Sequence, residues 1–258
     1  MNWMPFPYPA DAYVFDAAGL RVNWDRLHAG DVEAFPTRGA LVDAWIAFHA
    51  GDYYRAMKLG LAQGVCGYAV AHKATCIYAS ELETDADQRL ALFDVVAERC
   101  ERHQREQPDN PAGWYWQAYA LGRTAQAISI VKALAKGLAP KVRHGFKHAI
   151  ALAPAHADAR VGLGVYQSEI VGAAGPLVAS MTYGARKHDC HATFRTAIEL
   201  NPFAPGAYME YANAMLRFDG KKCLDEARAL YRQAASLEPA DASERLAVER
   251  ARHHLEVI

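Results

Sequence analysis

The chain is 258 residues long and 52% hydrophobic, with 28 Lys/Arg against 29 Asp/Glu and a formal net charge of −1. That length can bury a sizeable core, and the near-neutral total speaks against nucleic acid or an anionic membrane as partner. No apolar run approaches the ~20 residues that cross a bilayer, and the opening MNWMPFPYPADAY has neither the basic nor the apolar stretch of a secretory leader.

Residues 1–36 are rich in proline and aromatics, with Trp3, Phe6, Tyr8, Tyr13, Phe15 and Trp24. They predict an extended arm and a short helix near Gly19–His28, packed on the main body. From Thr37, the expected N-cap, Leu41, Ala44, Trp45 and Phe48 keep a helical period up to a Gly51-Asp52 turn. A return helix follows from Tyr53 to Gly64. The next hairpin runs from about Tyr68 to Ser80 and from Asp85 to Gln107, the second helix ending in basic residues as the helix dipole favours. Pro108-Asp-Asn-Pro111 breaks it, and period-two alternation is nowhere sustained, so no strand is predicted.

The second half then repeats a cadence: HAIALAP ending at Pro154, TAIELNP ending at Pro202 and QAASLEP ending at Pro239. In each, a small residue stands five positions before a proline that closes an amphipathic helix. Trp114, Gln117, Ala118 and Leu121 pair with Val142, Phe146, Ala149 and Pro154. Arg160, Leu163, Gly164 and Gln167 pair with Cys190, Phe194, Ala197 and Pro202, and Tyr208, Tyr211, Ala212 and Met215 with Ala227, Tyr231, Ala234 and Pro239. These sets resemble the tetratricopeptide repeat, TPR. The resemblance implies an all-α fold, a right-handed TPR-like superhelix of antiparallel hairpins. The predicted organisation is an arm over 1–36, then a solenoid over 37–258. Its hairpins fall at about 37–64, 67–107, 112–154, 156–202 and 204–239, with a capping helix at 243–256. In two units the small positions lie 31 and 33 residues apart, Ala118 to Ala149 and Gly164 to Ala197, where the template allows about 19. Each carries an insert between its helices. Such lengthening also resembles the regulator-of-microtubule-dynamics proteins and, more loosely, the T component of TRAP-type transporters.

Residues 111–157 hold 6 Lys/Arg and no Asp or Glu. Arg123, Lys132, Lys136, Lys141, Arg143 and Lys147, with Trp114, Tyr115, Trp116, Tyr119 and Tyr166 around them, predict an electropositive groove. The phase of the repeat predicts Tyr115, Tyr119 and Arg123, then Val161, Val165 and Glu169, then Met209, Asn213 and Arg217 on the concave face. The polar clamp by which chaperone-binding TPR proteins hold a C-terminal carboxylate is absent, since Tyr115, Tyr119 and Val161 stand where its residues would. The insert segment places Ile128, Val131, Leu134 and Leu138 on one stripe, expected to pack on the core. Gly172-Ala-Ala-Gly175-Pro176 reads as a helix break, lacking the strand and Lys-Ser/Thr of a phosphate loop.

His188-Asp189-Cys190-His191 has ligand chemistry, but Cys190 falls on a buried repeat position, and the His144/His148 pair lacks a third ligand, so neither predicts a metal. The five cysteines, Cys66, Cys76, Cys100, Cys190 and Cys223, show no CxxC spacing and predict free thiols in a cytoplasmic setting. No nucleophile elbow or paired-carboxylate signature is present, and no cofactor is implied. The expectation is a non-catalytic scaffold. It would bind a protein or peptide segment through Tyr115, Tyr119, Arg123, Lys132, Lys136, Arg143, Val165, Glu169, Asn213 and Arg217. A small anionic or apolar ligand in a cavity closed by the inserts is the alternative, and the charge asymmetry also allows a homodimer.

Overall fold

The computed structural model describes residues 3–128, 133 and 136–257. Within these residues there is no strand, and twelve α-helices follow one another: α1 Ala17–Leu27, α2 Gly39–His49, α3 Tyr53–Ala62, α4 Tyr68–Glu81, α5 Ala86–Glu106, α6 Pro111–Ala127, α7 Leu138–Leu152, α8 Ala157–Tyr183, α9 Lys187–Leu200, α10 Pro205–Asp219, α11 Leu224–Ser236 and α12 Ala242–Val257. Side chains at the helix starts explain where several begin. Asp52 caps α3, Asp85 caps α5 and Asn110 caps α6, each accepting a backbone N–H that the helix leaves unbonded. Pro111 and Pro205 take the first helical position, where a missing N–H costs nothing. Helix α2 departs from expectation: it starts at Gly39, Arg38 takes the cap position, and Thr37 does not cap it.

Pro154, Pro202 and Pro239 all lie just beyond helix ends, after α7, α9 and α11. Consecutive helices pack as antiparallel neighbours, α6 on α7, α8 on α9 and α10 on α11. The repeated positions are the buried ones. Phe146, Phe194 and Tyr231 are each at most 3% exposed, and Ala149, Ala197 and Ala234 are fully buried. Close approach needs small partners opposite these rings. A β-carbon on Gly145 would stand 2.8 Å from that of Ala118, and one on Gly164 would stand 2.7 Å from the Phe194 ring. Helix α8 runs through both the second repeat and its insert, and it breaks at Gly175 (φ 76°, ψ 158°), with Pro176 restarting it.

The solenoid does not remain open. Helix α12 packs on α10 and α11 and also reaches α2. At its head, Asp241 accepts a hydrogen bond from His49 Nδ1 at 2.7 Å. His49 Nε2 meets His28 Nε2 at 3.3 Å, His28 Nδ1 lies 2.8 Å from Asp31, and Lys73 Nζ donates to the other Asp31 oxygen at 2.6 Å. Trp24 stacks on His28 and Trp45 on His49, which shields the chain from water. Two flanking pairs complete the closure: Arg26 grips Glu244 through both oxygens at 2.6 and 2.8 Å, and Arg250 reaches Glu81 at 2.7 Å. The N-terminal arm covers the seam. Trp3 stacks on Tyr78 with ring centroids 4.1 Å apart, and the Arg245 guanidinium lies over Tyr8.

Two measurements probe this architecture. Phe194→Ala removes a fully buried ring and is expected to cost about 3–5 kcal/mol in urea unfolding. Asp241→Ala removes one end of the buried chain and is expected to cost about 3–5 kcal/mol. It should also speed protease cleavage between α11 and α12. Unchanged cleavage there would show that the closure does not depend on this carboxylate.

Candidate functional site

Because α12 bridges back to the first helices, the concave faces of α4, α6, α8 and α10 line a half-open cavity of about 450 Å³. A helical period places each lining side chain. Helix α4 supplies Lys73, Ile77 and Glu81; α6 supplies Tyr115, Trp116, Tyr119 and Arg123; α8 supplies Asp158, Val161, Val165, Tyr166 and Glu169. Helix α10 adds Glu210; Asp241, just before α12, and Glu244 and Arg250 within it complete the charged lining.

Of the residues expected on the concave face, Tyr115, Tyr119, Arg123, Val161, Val165 and Glu169 line this cavity. Tyr119 exchanges a hydrogen bond with Ser80 at 2.8 Å, and the Arg123 guanidinium lies over its ring. Arg123 also faces Glu210 at 3.6 Å. The third unit is turned differently. Met209 is buried with Tyr231 and Ala251 in the core of the last three helices, and Asn213 is bonded to Glu210 and to the Tyr231 hydroxyl. Glu210 therefore takes the lining position in that unit. Arg217 lies against Gly172 of α8, where it pairs with Glu169 at 2.8 Å and donates to Ser168.

Among the described residues, Arg123 is the one cation of the basic window that reaches the cavity. Lys136, Lys141 and Lys147 are exposed, and Arg143 lies beside Gly184. The fold turns the polar face of α7 outward and buries Val142, Phe146 and Ala149. Lys132, Val131 and Leu134 lie outside the described residues; Ile128 borders the cavity and Leu138 is buried. Cys190 is buried with its thiol toward the Gly164 carbonyl, and His191 is drawn to the Tyr211 hydroxyl.

Sequence reasoning missed Lys73, Glu81, Asp158, Glu210, Asp241, Glu244 and Arg250. Lys73 is the one Lys or Arg in α4, and that was the one visible sign. Its charge is secured by Asp31: burial works against the ammonium, but Asp31 raises its pKa. Asp31 in turn is pushed up by burial yet held well below the carboxylate range by His28 and Lys73. Asp241, despite burial, is held at about 2 by the hydrogen bond and charge of His49.

No protein-family profile matches the chain, and no curated protein sequence is significantly similar to it. Among solved structures, the crystal structure of a thermophilic TPR protein from Thermus thermophilus is similar, with a TM-score of 0.57 and 17% identity. The match covers 83% of this chain and 98% of that one. The chain is a TPR-like helical protein. Among the described residues of this TPR-like chain, no helix is long and apolar enough to cross a membrane.

His156 caps α8 beside the cavity-lining Tyr115. Its ring packs on Tyr115, and its Nδ1 accepts the Ala159 N–H at 3.2 Å, capping α8. A protonated imidazole cannot accept that bond. Burial lowers its pKa from 6.5 to about 4, and burial does the same to His28. The folded state keeps both neutral while the unfolded chain protonates them. Stability from these groups is therefore full above pH 6.5 and falls as pH drops from 6.5 toward 4. His156→Asn keeps a cap that cannot titrate, so the loss in urea midpoint between about pH 7 and about pH 5 should be smaller than in wild type. An identical loss would remove His156 from the account.

Proposed function

We propose that the protein is a non-catalytic TPR-type scaffold that takes a protein or peptide segment into the cavity on its concave face. The observation that carries this reading is the cavity itself. Its volume is about 450 Å³, within the roughly 300–1,000 Å³ range of ligand sites. Its walls mix an aromatic surface with charges already held in place by partners across the helices. Tyr115, Tyr119, Arg123, Val165 and Glu169 form the recognition surface, with Arg217 positioning Glu169. Lys136 and Arg143 belong to a separate outer surface. All five cysteines are free, which fits a cytoplasmic setting.

A second reading has its own support. The contact of α12 with the first helices narrows the groove into a half-open pocket, which suits a small ligand better than a long extended peptide. Native mass spectrometry of the purified protein separates the two, because a retained small molecule would favour the second.

Val165→Trp should fill the chamber and remove the partner captured by the wild type, measured by quantitative affinity capture from the source cells. Lys136→Glu with Arg143→Glu should leave it. The reverse pattern would move recognition to the outer face.

A further inference from the structure

The cavity is lined by six carboxylates, Glu81, Asp158, Glu169, Glu210, Asp241 and Glu244, against three cations, Lys73, Arg123 and Arg250. Five of the six are already answered. Arg250 holds Glu81 at 2.7 Å, Arg217 holds Glu169 at 2.8 Å, Arg123 faces Glu210 at 3.6 Å, His49 holds Asp241 at 2.7 Å and Arg26 holds Glu244 at 2.6 Å. Asp158 is different. Among the described residues, no donor or cation stands within hydrogen-bond or ion-pair distance of its carboxylate. Lys73 acts on it from farther off, its ammonium committed to Asp31 at 2.6 Å.

The backbone holds this bare carboxylate in place. Its own N–H donates to the Gly30 carbonyl at 3.0 Å, and the carboxylate lies over Gly30, where any β-carbon would collide with it. Along the same helix face run Val161 and Val165, and across from it stand Tyr115, Trp116 and Phe146. Burial, with Asp31 adding to it and Lys73 opposing, raises the carboxyl to about 6. With no partner for its charge among the described residues, Asp158 is ionised at a cost that a group of opposite charge would remove.

We propose that the cavity binds an organic cation, an alkylammonium or guanidinium group whose charge sits on Asp158 and whose carbon chain lies along Tyr115, Trp116 and Phe146. This rests on reading the cavity as the binding site, and it reverses the anionic preference expected from the basic window. The cation can belong to a Lys or Arg side chain of a peptide or to a free amine.

The test is an NMR titration at about pH 7.5, where Asp158 is ionised, using three probes of one shape: phenethylammonium, 2-phenylethanol and 3-phenylpropionate. The cation should shift amide signals of α6 and α8 and bind about tenfold more tightly than the other two. Asp158→Asn should bring its affinity down to that of the alcohol. The unliganded variant should melt above wild type at this pH, since it removes a carboxylate that burial penalises, and this checks that it folds. Equal affinities, tighter binding of the carboxylate, or undiminished binding by the variant would overturn the cation assignment and leave the cavity as a binding site. Shifts at the cavity from none of the three would overturn both. A blocked pentapeptide with one internal lysine, beside its Nε-acetyl form, separates the sources. Asp158-dependent binding of the lysine form, tighter than phenethylammonium, assigns the cation to a protein side chain. Failure of both forms, with phenethylammonium bound, assigns it to a free amine.

Discussion

The buried line of side chains from Asp241 through His49, His28 and Asp31 to Lys73 decides the shape of the molecule. A helical-hairpin solenoid normally contacts only its sequence neighbours, so its ends are free. Here the last helix is bonded to the first ones, across 192 residues of sequence between Asp241 and His49. The contacts share their members: each imidazole bridges two neighbours, and Asp31 meets both His28 and Lys73, so the line acts as a unit. Removing any member leaves a charge or a lone pair facing another in a low-dielectric seam, where such a mismatch is expensive. The flanking Arg26–Glu244 and Arg250–Glu81 pairs are partly exposed and contribute less.

Closure also explains why local charge in the sequence is a poor guide to charge in the cavity. A window of 47 residues without an acid looks electropositive when only chain neighbours are counted. The ring assembles its lining from α4, α6, α8, α10 and α12 instead, one or two residues per turn. Arg123 is the single cation of that window, among the described residues, to reach the cavity, and it arrives opposite Glu210. Lys141 and Lys147 follow the outward stripe of α7, as the amphipathic period of that helix requires.

The helices and their joints were legible because their causes are local. A proline two or three residues past a helix end, a small residue opposite a buried ring and an acid or Asn at a helix start all act within one or two turns. The break at Gly175 was legible for the same reason. Thr37 failed as a cap because Arg38 holds the cap position and the first turn of α2 uses no side-chain acceptor. The phase of the third unit failed for a tertiary reason: α11 and α12 draw Met209 into their shared core, rotating Glu210 toward the cavity. The closure itself left no mark in the sequence. From the sequence, α12 reads as a cap on the stack.

Closure and binding are coupled through the same few charges. Asp158 on α8 and Glu244 on α12 both line the cavity, and Glu244 adds to the rise in the Asp158 carboxyl behind burial and Asp31. A positive group seated on Asp158, as proposed above, would remove that penalty and would lie between α8 and the start of α12. On that proposal occupancy would favour the docked α12, and by thermodynamic reciprocity the docked α12 would favour the cation. The closure and the proposed binding would then draw on the same carboxylate.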